Sequence, residues 1–247
     1  MKHTIELPAS ALKAALPGLA RVIPKRSCLP ILGSVRIARE PTGIVTFHGT
    51  DLDSFLRYRV DNVEPGPAAQ LLVPLGSLRD IVKSCRADEI IRLTLDERNR
   101  VTIRCAVGEI PIDHTFEVPA LEEWPQEPLG MEFTVPVDDC FKQALREAID
   151  CCGQESSRPV LRGALLEAGR QAGHLVGTDG RHLYCANSFP LDLPRSVILP
   201  GQRFLVWPEF ARDGQWTIGL RPGTGQEPTW VQVSSARWSL VTRTIDG

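Results

Sequence analysis

Motifs of catalysis are missing from this sequence. It contains no Gly-x-Ser-x-Gly, no His-Glu-x-x-His, no P-loop and no Gly-x-Gly-x-x-Gly. Its five histidines are scattered, and no two of them have the spacing of metal ligands. We therefore expect a protein that is not an enzyme and that needs neither a cofactor nor a metal ion.

Cysteine patterns typical of a disulfide framework or a zinc site are also missing. The seven cysteines are an odd number at irregular spacing, without a Cys-x-x-Cys, which is typical of reduced intracellular thiols. No stretch approaches the ~18–20 apolar residues of a membrane helix. The amino terminus shows no signal-peptide pattern. The sequence predicts a cytoplasmic protein without a membrane partner.

A global excess of positive charge is missing as well. The 247 residues carry a net charge of −2, so a nucleic-acid partner would require a local basic face on a nearly neutral protein. Predicted helices offer such charges on their outer faces, although a simple solvated surface is the alternative interpretation. The charges on these faces belong to Lys13, Arg79, Lys83, Arg86, Lys142 and Arg146.

An internal repeat organises the chain. Gly-Thr-Asp-Leu at residues 49–52 recurs as Gly-Thr-Asp-Gly at residues 177–180, each time after an apolar run. A Pro-aliphatic-Leu segment, which we predict to be a strand, precedes each copy at residues 30–32 and 159–161. Matches in the same order predict two copies of one domain. We place these domains at residues 1–122 and 130–247, with a proline-rich linker at about 117–130.

Helical periodicity and strand alternation together predict an α+β fold with antiparallel sheets. Pro8 should open a first helix, and Pro17 should end its regular part near Leu16. Ser77 and Asp80 have the spacing of a capping box. The four helical segments that we predict are residues 8–16, 77–86, 137–151 and, with two turns at most, 208–214.

The repeated Thr-Asp pair has two interpretations. Asp51 and Asp179 could be catalytic acids, but an aspartate after a strand usually makes a turn hydrogen bond. Because the position is duplicated, we favour the structural role.

Four motifs resemble those of a known family. They are Arg-Ser-Cys-Leu-Pro-Ile-Leu-Gly at 26–33, Gly-Thr-Asp-Leu at 49–52, Ser-Arg-Pro-Val-Leu-Arg-Gly at 157–163, and Gly-Thr-Asp-Gly-Arg-His-Leu at 177–183. The chain resembles, over its whole length, the bacterial DNA polymerase III beta subunit, the replicative sliding clamp. The resemblance implies the DNA-clamp fold, with sheets outside and helices on the inner face of a ring. It also implies a non-catalytic processivity factor of the DNA polymerase III holoenzyme.

The resemblance also implies partners and sites. The partners would be double-stranded DNA, held without sequence readout, and the DNA polymerase and clamp-loader subunits, which bind through short peptide motifs. Such a protein would be cytoplasmic and associated with the nucleoid. Diffuse basic side chains suit sliding, because they bind phosphates rather than bases. The implied DNA-binding residues are Lys13, Lys25, Arg26, Arg79, Lys83, Arg86, Lys142, Arg146 and Arg158. The implied peptide pocket consists of Leu161, Thr178, Gly180, Arg181, His182 and Leu183.

Two departures from the family pattern matter. Family members usually carry His then Arg after the glycine, whereas this chain has Arg181 then His182. The alternative interpretation of Leu161 and Leu183 is ordinary core. Family members also have a third domain, whereas we expect only two domains in this sequence. The chain could be a fragment of a dimeric clamp, a two-domain clamp that closes as a trimer, or a clamp-like module that binds replication proteins without encircling DNA.

Overall fold

The computed structural model describes residues 3–61, 63–107, 110–128, 130–154, 158–224 and 227–247. The chain divides into two compact units, residues 1–126 and 127–247. Ser157, in one of the motifs above, lies outside the described residues.

The first unit contains eight strands and two helices among its described residues. The strands are β1 (His3–Pro8), β2 (Ser34–Arg39), β3 (Val45–Thr50), β4 (Ser54–Val60), β5 (Ala69–Pro74), β6 (Ile90–Leu95), β7 (Arg100–Val107) and β8 (Ile110–Glu117). The helices are α1 (Ala9–Leu19) and α2 (Leu75–Ser84), and 3-10 turns span Pro30–Gly33 and Leu121–Glu123. All strand pairs are antiparallel, in the orders β1-β6-β7-β8 and β5-β2-β3-β4.

The second unit uses the same elements again. Its strands are β9 (Phe133–Val137), β10 (Gly163–Glu167), β11 (Gly169–Thr178), β12 (Leu183–Leu191), β13 (Val197–Pro200), β14 (Trp216–Arg221), β15 (Trp230–Ser234) and β16 (Trp238–Arg243). Its helices are α3 (Asp139–Asp150) and α4 (Pro208–Ala211), with a 3-10 turn at Pro159–Arg162. The antiparallel orders are β9-β14-β15-β16 and β13-β10-β11-β12.

The two strand orders are therefore identical in the two units, element for element. This identity confirms the repeat and the α+β class predicted from the sequence. The main difference is helix length, because α2 has ten residues and α4 only four. Proline starts α4 and glycine follows it at position 214, so the short fourth helix predicted from the sequence is confirmed.

The Pro-aliphatic-Leu segments are not strands. Both form 3-10 turns, in which Leu32 N donates to Leu29 O at 3.1 Å and Leu161 N donates to Arg158 O at 3.1 Å. Proline lacks the N–H that a strand would use, and it is accepted at the first position of a helical turn. The strands β2 and β10 begin directly after these turns.

The position of Pro17 predicted that helix α1 ends near Leu16, and this prediction is wrong. The helix continues through Pro17 to Leu19, and the backbone bonding resumes where Ala20 N donates to Leu16 O at 3.0 Å. Leu16 and Leu19 are 4% and 0% exposed. The packing of this apolar face offsets the hydrogen bond that proline removes.

Helix α2 begins at Leu75 rather than at Ser77, so the predicted capping box is wrong. Pro74 occupies the N-cap position without a side-chain bond. The helix follows β5 directly because Leu75 and Leu78 are both buried in the core. In α3, by contrast, Asp138 accepts a hydrogen bond from Phe141 N at 2.9 Å, which is an ordinary N-cap. The apolar residues that recur at helical spacing in α3 form a buried stripe, made of Phe141, Ala144, Leu145, Ala148 and Ile149.

Candidate DNA-binding face and peptide-binding patch

All six predicted DNA-binding side chains of the first unit are exposed, and four of them are free of ion pairs among the described residues. Lys25 and Arg26 lie in the loop between α1 and the first 3-10 turn, and Arg79 and Lys83 are one turn apart on α2. Within the part of the chain that the structure describes, none of the four forms an ion pair. Their charges are available for an anionic partner.

Lys13 is exposed but already has a bonding partner. Its Nζ atom donates to Cys85 O at 2.5 Å, where α2 has just ended. A cation at this end of a helix interacts favourably with the helix dipole. Lys13 therefore links α1 to the end of α2, and it contributes less free charge than the sequence predicted.

Arg86 does not share a helix face with Arg79 and Lys83. Helix α2 ends at Ser84, and the Cys85 backbone is extended, so Arg86 lies beyond the helix, although the predicted segment 77–86 included it. Arg86 Nη2 lies 2.8 Å from Asp88 Oδ2, and the two side chains are 83% and 71% exposed. Such a surface pair adds little stability, but it offsets the Arg86 charge locally.

Lys142 is not on an exposed face, so this prediction is wrong. Its side chain is only 9% exposed. Nζ lies 2.8 Å from Asp139 Oδ1 and 2.7 Å from Gly214 O, and it stands 5.6 Å from the centre of the Trp216 ring. Because α4 is short, the segment after it folds back onto α3 and covers this lysine. Lys142 therefore joins α3 to that segment.

Arg146 and Arg158 remain exposed in the second unit. Arg146 is 61% exposed and lies 3.8 Å from Asp150 Oδ2. Arg158 precedes the 3-10 turn and forms no ion pair among the residues described. Helix α3 borders an open groove of about 1050 Å³ left by the short α4. Four acidic and three basic side chains line this groove, and they are Asp138, Asp139, Glu147 and Asp150 and, on the basic side, Lys142, Arg146 and Arg212. The helix face of the second unit is therefore less basic than that of the first.

The two Thr-Asp turns have the same hydrogen bonds. Asp51 Oδ1 accepts from Ser54 N at 2.7 Å, and Asp179 Oδ1 accepts from His182 N at 2.6 Å. Bonds from the N–H groups of His182 and Arg181 hold the pKa of Asp179 well below its usual range. Both aspartates therefore hold turns, and the structural role predicted for them is confirmed.

An apolar patch lies beside the second turn. Leu183 is 70% exposed, while Leu161 is partly buried. Gly180 has φ +85°, and a Cβ atom there would stand 3.7 Å from Leu161 Cδ1. The core alternative for Leu183 is therefore wrong. We call Leu161 and Leu183 the apolar patch.

Polar groups at the edge of this patch are held in place. Thr178 Oγ1 donates to His182 O at 2.6 Å and accepts from Gly180 N at 3.0 Å. His182 Nδ1 lies 3.1 Å from Asp179 Oδ2. Arg181 and His182 both extend into solvent. The residues predicted for a peptide pocket are thus neighbours on one surface.

Sequence reasoning missed one feature of the first turn. Leu52 occupies the position that Gly180 has in the second turn, with a left-handed φ of +82° and 44% exposure. A leucine at such a φ is strained. The alignment of the two repeats places Leu52 opposite Gly180, and this match could have indicated the left-handed backbone at Leu52.

Solved structures define the class to which this fold belongs. The DNA polymerase III subunit beta from Pseudomonas aeruginosa matches with a TM-score of 0.81 and 24% identity, over 100% of this chain and 65% of that chain. A sliding clamp from Bartonella birtlesii bound to griselimycin matches with a TM-score of 0.84 and 23% identity, over 100% and 66%. The fold is that of a sliding clamp.

Sequence comparison assigns the family. The model of the DNA polymerase III beta subunit, N-terminal domain, matches residues 1–126. The beta sliding clamp of Pseudomonas putida is 30% identical over 261 residues, which span all of this chain and 65% of that relative. This chain belongs to the DNA polymerase III beta subunit family, whose members are non-catalytic. It spans about two thirds of the length of the relatives that it matches.

Among the described residues, no helix is long and apolar enough to cross a membrane.

Proposed function

We propose that this chain is a sliding-clamp subunit that encircles duplex DNA and tethers the replicative polymerase and other replication proteins. The observation that carries the proposal is the identical strand order of two units in a chain of this family. We assign residues 1–122 to the first clamp domain and residues 130–247 to the second. Three copies of a two-domain chain, or two copies of a three-domain chain of which this sequence is a fragment, would supply six domains, and head-to-tail contacts close a ring when the rotation allows. This protein would act in the cytoplasm, on the nucleoid.

DNA binding would rely mainly on the free basic side chains. Exposed cations without acidic partners can replace the counterions of phosphates, and this contact is independent of sequence. The side chains that best fit this role are Lys25, Arg26, Arg79, Lys83 and Arg158, together with Arg146, whose distance of 3.8 Å from Asp150 Oδ2 is too long for a hydrogen bond. Lys13, Arg86 and Lys142 fit it less well because they bond to other groups of the chain.

The salt dependence of DNA binding tests this assignment. Arg79→Ala, Lys83→Ala and Arg146→Ala together should reduce the slope of log K against log salt by about 3, because each phosphate contact contributes about 0.9. Binding of a duplex oligonucleotide would be followed by fluorescence anisotropy between low and physiological salt.

A matched control removes the same charge elsewhere. Arg98, Arg170 and Arg195 are exposed and lie in strands or turns rather than on helices. Their triple alanine variant should keep the wild-type slope. An equal reduction of the salt slope in both triple variants would contradict a DNA-binding helix face, since it would show that DNA binding responds only to the total charge.

Partner binding would use the apolar patch. A half-exposed leucine surface beside a rigid turn suits the apolar anchors of a short peptide. Griselimycin, which the Bartonella birtlesii clamp binds, is a practical probe. Leu183→Asp should weaken its binding about thirtyfold, corresponding to about 2 kcal/mol for the loss of one anchor site.

Ile110 provides the matched control for this test. It is 69% exposed, almost the same as Leu183, but lies on β8 in the first unit. Ile110→Asp should bind griselimycin like the wild-type chain. Titration calorimetry would measure all three proteins, and no binding by the wild type would contradict the peptide-pocket assignment.

One observation favours a second candidate function, an interaction module that binds replication proteins without encircling DNA. The acidic side chains along the groove of α3 outnumber the basic ones by four to three, and one of the three, Lys142, is only 9% exposed. Both features reduce the attraction of the second unit for phosphate. Griselimycin binding without any salt-dependent DNA binding would support this candidate over the clamp.

A further inference from the structure

Two buried thiols and a carboxylate meet at the end of α2. Cys85 follows the helix directly, Glu89 lies in the loop before β6, and Cys105 lies on β7. One donor atom of each residue, the two Sγ atoms and a carboxylate oxygen, lies within 4.8 Å of the other two. Neither DNA binding nor peptide binding, as proposed above, uses these residues.

The donor set is suited to one kind of ligand. Thiolate and carboxylate oxygen are both ligands of Zn²⁺, and soft sulfur donors select it over Mg²⁺ or Ca²⁺. Cys85 and Glu89 are separated by three residues, a spacing within the range of local ligand pairs in zinc sites. Cys105 then adds a ligand from a different element, which would let an ion link two parts of the first unit.

The carboxylate of Glu89 is already oriented. Its Oε1 accepts from Ala106 N at 2.5 Å and its Oε2 accepts from Arg86 N at 3.1 Å. Each carboxylate oxygen has a second lone pair, so Glu89 can bind a cation and keep both bonds. Such fixed orientation of a ligand is typical of metal sites.

The burial of the thiols explains what a cation would contribute. Cys85 and Cys105 are 4% and 3% exposed. Burial raises the pKa of Cys85 to about 12 and also raises the pKa of Cys105, so both thiols keep their protons when no cation is bound. A divalent ion would displace both protons and compensate the thiolate charges. Arg86, Ala87 and Asp88 are exposed and give solvent a route to Glu89.

We propose that Cys85, Cys105 and Glu89 bind one Zn²⁺ ion, with water as the fourth ligand, and that this ion fastens the end of α2 to β7. Binding replaces two S–H bonds by two S–Zn bonds and releases two protons, without any oxidation or reduction. This proposal does not depend on the clamp function.

Cobalt substitution tests the site in the full chain. The reduced protein would be titrated with Co²⁺ under anaerobic conditions and with a phosphine reductant, and the thiolate-to-cobalt charge-transfer absorption would be recorded. We expect saturation at one ion per chain and displacement by Zn²⁺. Because two protons leave, the apparent affinity should rise about a hundredfold per pH unit near neutrality.

Variants assign the ligands. Cys85→Ser and Cys105→Ser should each weaken binding by more than the roughly 10- to 100-fold typical of losing a supporting group. Glu89→Gln should weaken binding but keep the charge-transfer band. Cys28→Ser and Cys140→Ser, at exposed cysteines, should bind Co²⁺ like the wild type. If one serine variant fails to fold, the other and Glu89→Gln still test the site.

Three results would overturn the proposal. The first is no charge-transfer band in the folded wild-type protein. The second is equal binding by the wild type and by both serine variants of the site. The third combines two observations. Protein prepared without the reductant would show a Cys85–Cys105 disulfide by mass spectrometry, and the same protein after reduction would bind no Co²⁺.

Discussion

Gly177 is the position where a single added carbon should be most harmful. A Cβ atom there would lie 1.9 Å from the carbonyl oxygen of Ala148 and 2.6 Å from its carbonyl carbon. These are backbone atoms of α3, so the helix itself would have to move by about 1 Å or more. Ala148 and Leu145 are almost fully buried. Displacing the helix by this distance would open a gap next to them and remove a substantial share of their dispersion contacts. With about 1–3 kcal/mol for overpacking alone, Gly177→Ala should cost about 3 kcal/mol or more.

The repeat provides an internal control for this prediction. Gly49 is the equivalent residue of the first unit, and a Cβ there would lie 2.7 Å from Ile23 Cγ1 and 2.8 Å from Ile23 Cδ1. These are side-chain atoms, which can rotate away. Gly49→Ala should therefore cost clearly less, about 1–2 kcal/mol.

Tryptophan fluorescence during urea unfolding would follow the second unit selectively. Four of the five tryptophans lie there, namely Trp207, Trp216, Trp230 and Trp238. Hydrogen exchange would follow the first unit for Gly49→Ala. Equal costs for the two variants, or a cost below 1 kcal/mol for Gly177→Ala, would refute the reasoning that backbone contact decides the penalty.

Further predictions concern buried polar groups. Asp213, whose side chain is 2% exposed, accepts bonds from Arg237 N at 2.8 Å and Arg237 Nε at 2.6 Å. Asp213→Ala should lower the free energy of unfolding, measured with urea, by about 2–4 kcal/mol. Asp192→Ala, which removes the exposed ion pair between Asp192 and Arg170, should lower it by under about 1 kcal/mol. Similar losses in the two variants would contradict a special role for Asp213. Burial is the main cause that lowers the pKa of His48 from 6.5 to about 3, and the positive charges of Arg36 and Arg57 are the lesser causes. The unfolded state then binds more protons between pH 3 and 6.5, so stability should fall on acidification in that window, by at most about 1.4 kcal/mol per pH unit. His48→Gln should make the free energy of unfolding depend less steeply on pH between pH 5 and 6.5. An unchanged pH dependence would contradict the lowered pKa of His48. Lys142→Met should lower stability without changing the salt slope of DNA binding, because Nζ bonds to the protein; a reduced slope would return Lys142 to the DNA-binding face.

Local pattern was sufficient for the parts of the fold that depend on periodicity and duplication. The apolar stripe of α3, the alternating strands and the two Thr-Asp turns follow from spacing alone. The end of α1 did not follow, because the buried Leu16 and Leu19 offset the defect at Pro17. Propensity and capping signals are weaker than such tertiary packing.

Prediction of the candidate sites failed where long-range contacts decide exposure. Lys142 has the right helical position for a solvent-facing charge, but the chain segment around Gly214, 72 residues later, covers it. Cys85 and Cys105 share no recognisable motif and meet only because β7 packs near the end of α2. Arg86 was misplaced for a local reason, since α2 ends two residues before it.

The most direct test of the central claim is whether the chain holds DNA topologically. The protein would be bound to nicked circular duplex DNA, separated by gel filtration, and its mass measured by light scattering before and after linearisation. The account predicts an assembly of more than one chain that stays on circles and leaves when the DNA is cut, with three times the chain mass if two domains make up the whole chain. An assembly that dissociates equally from circular and linear DNA would contradict the sliding-clamp function.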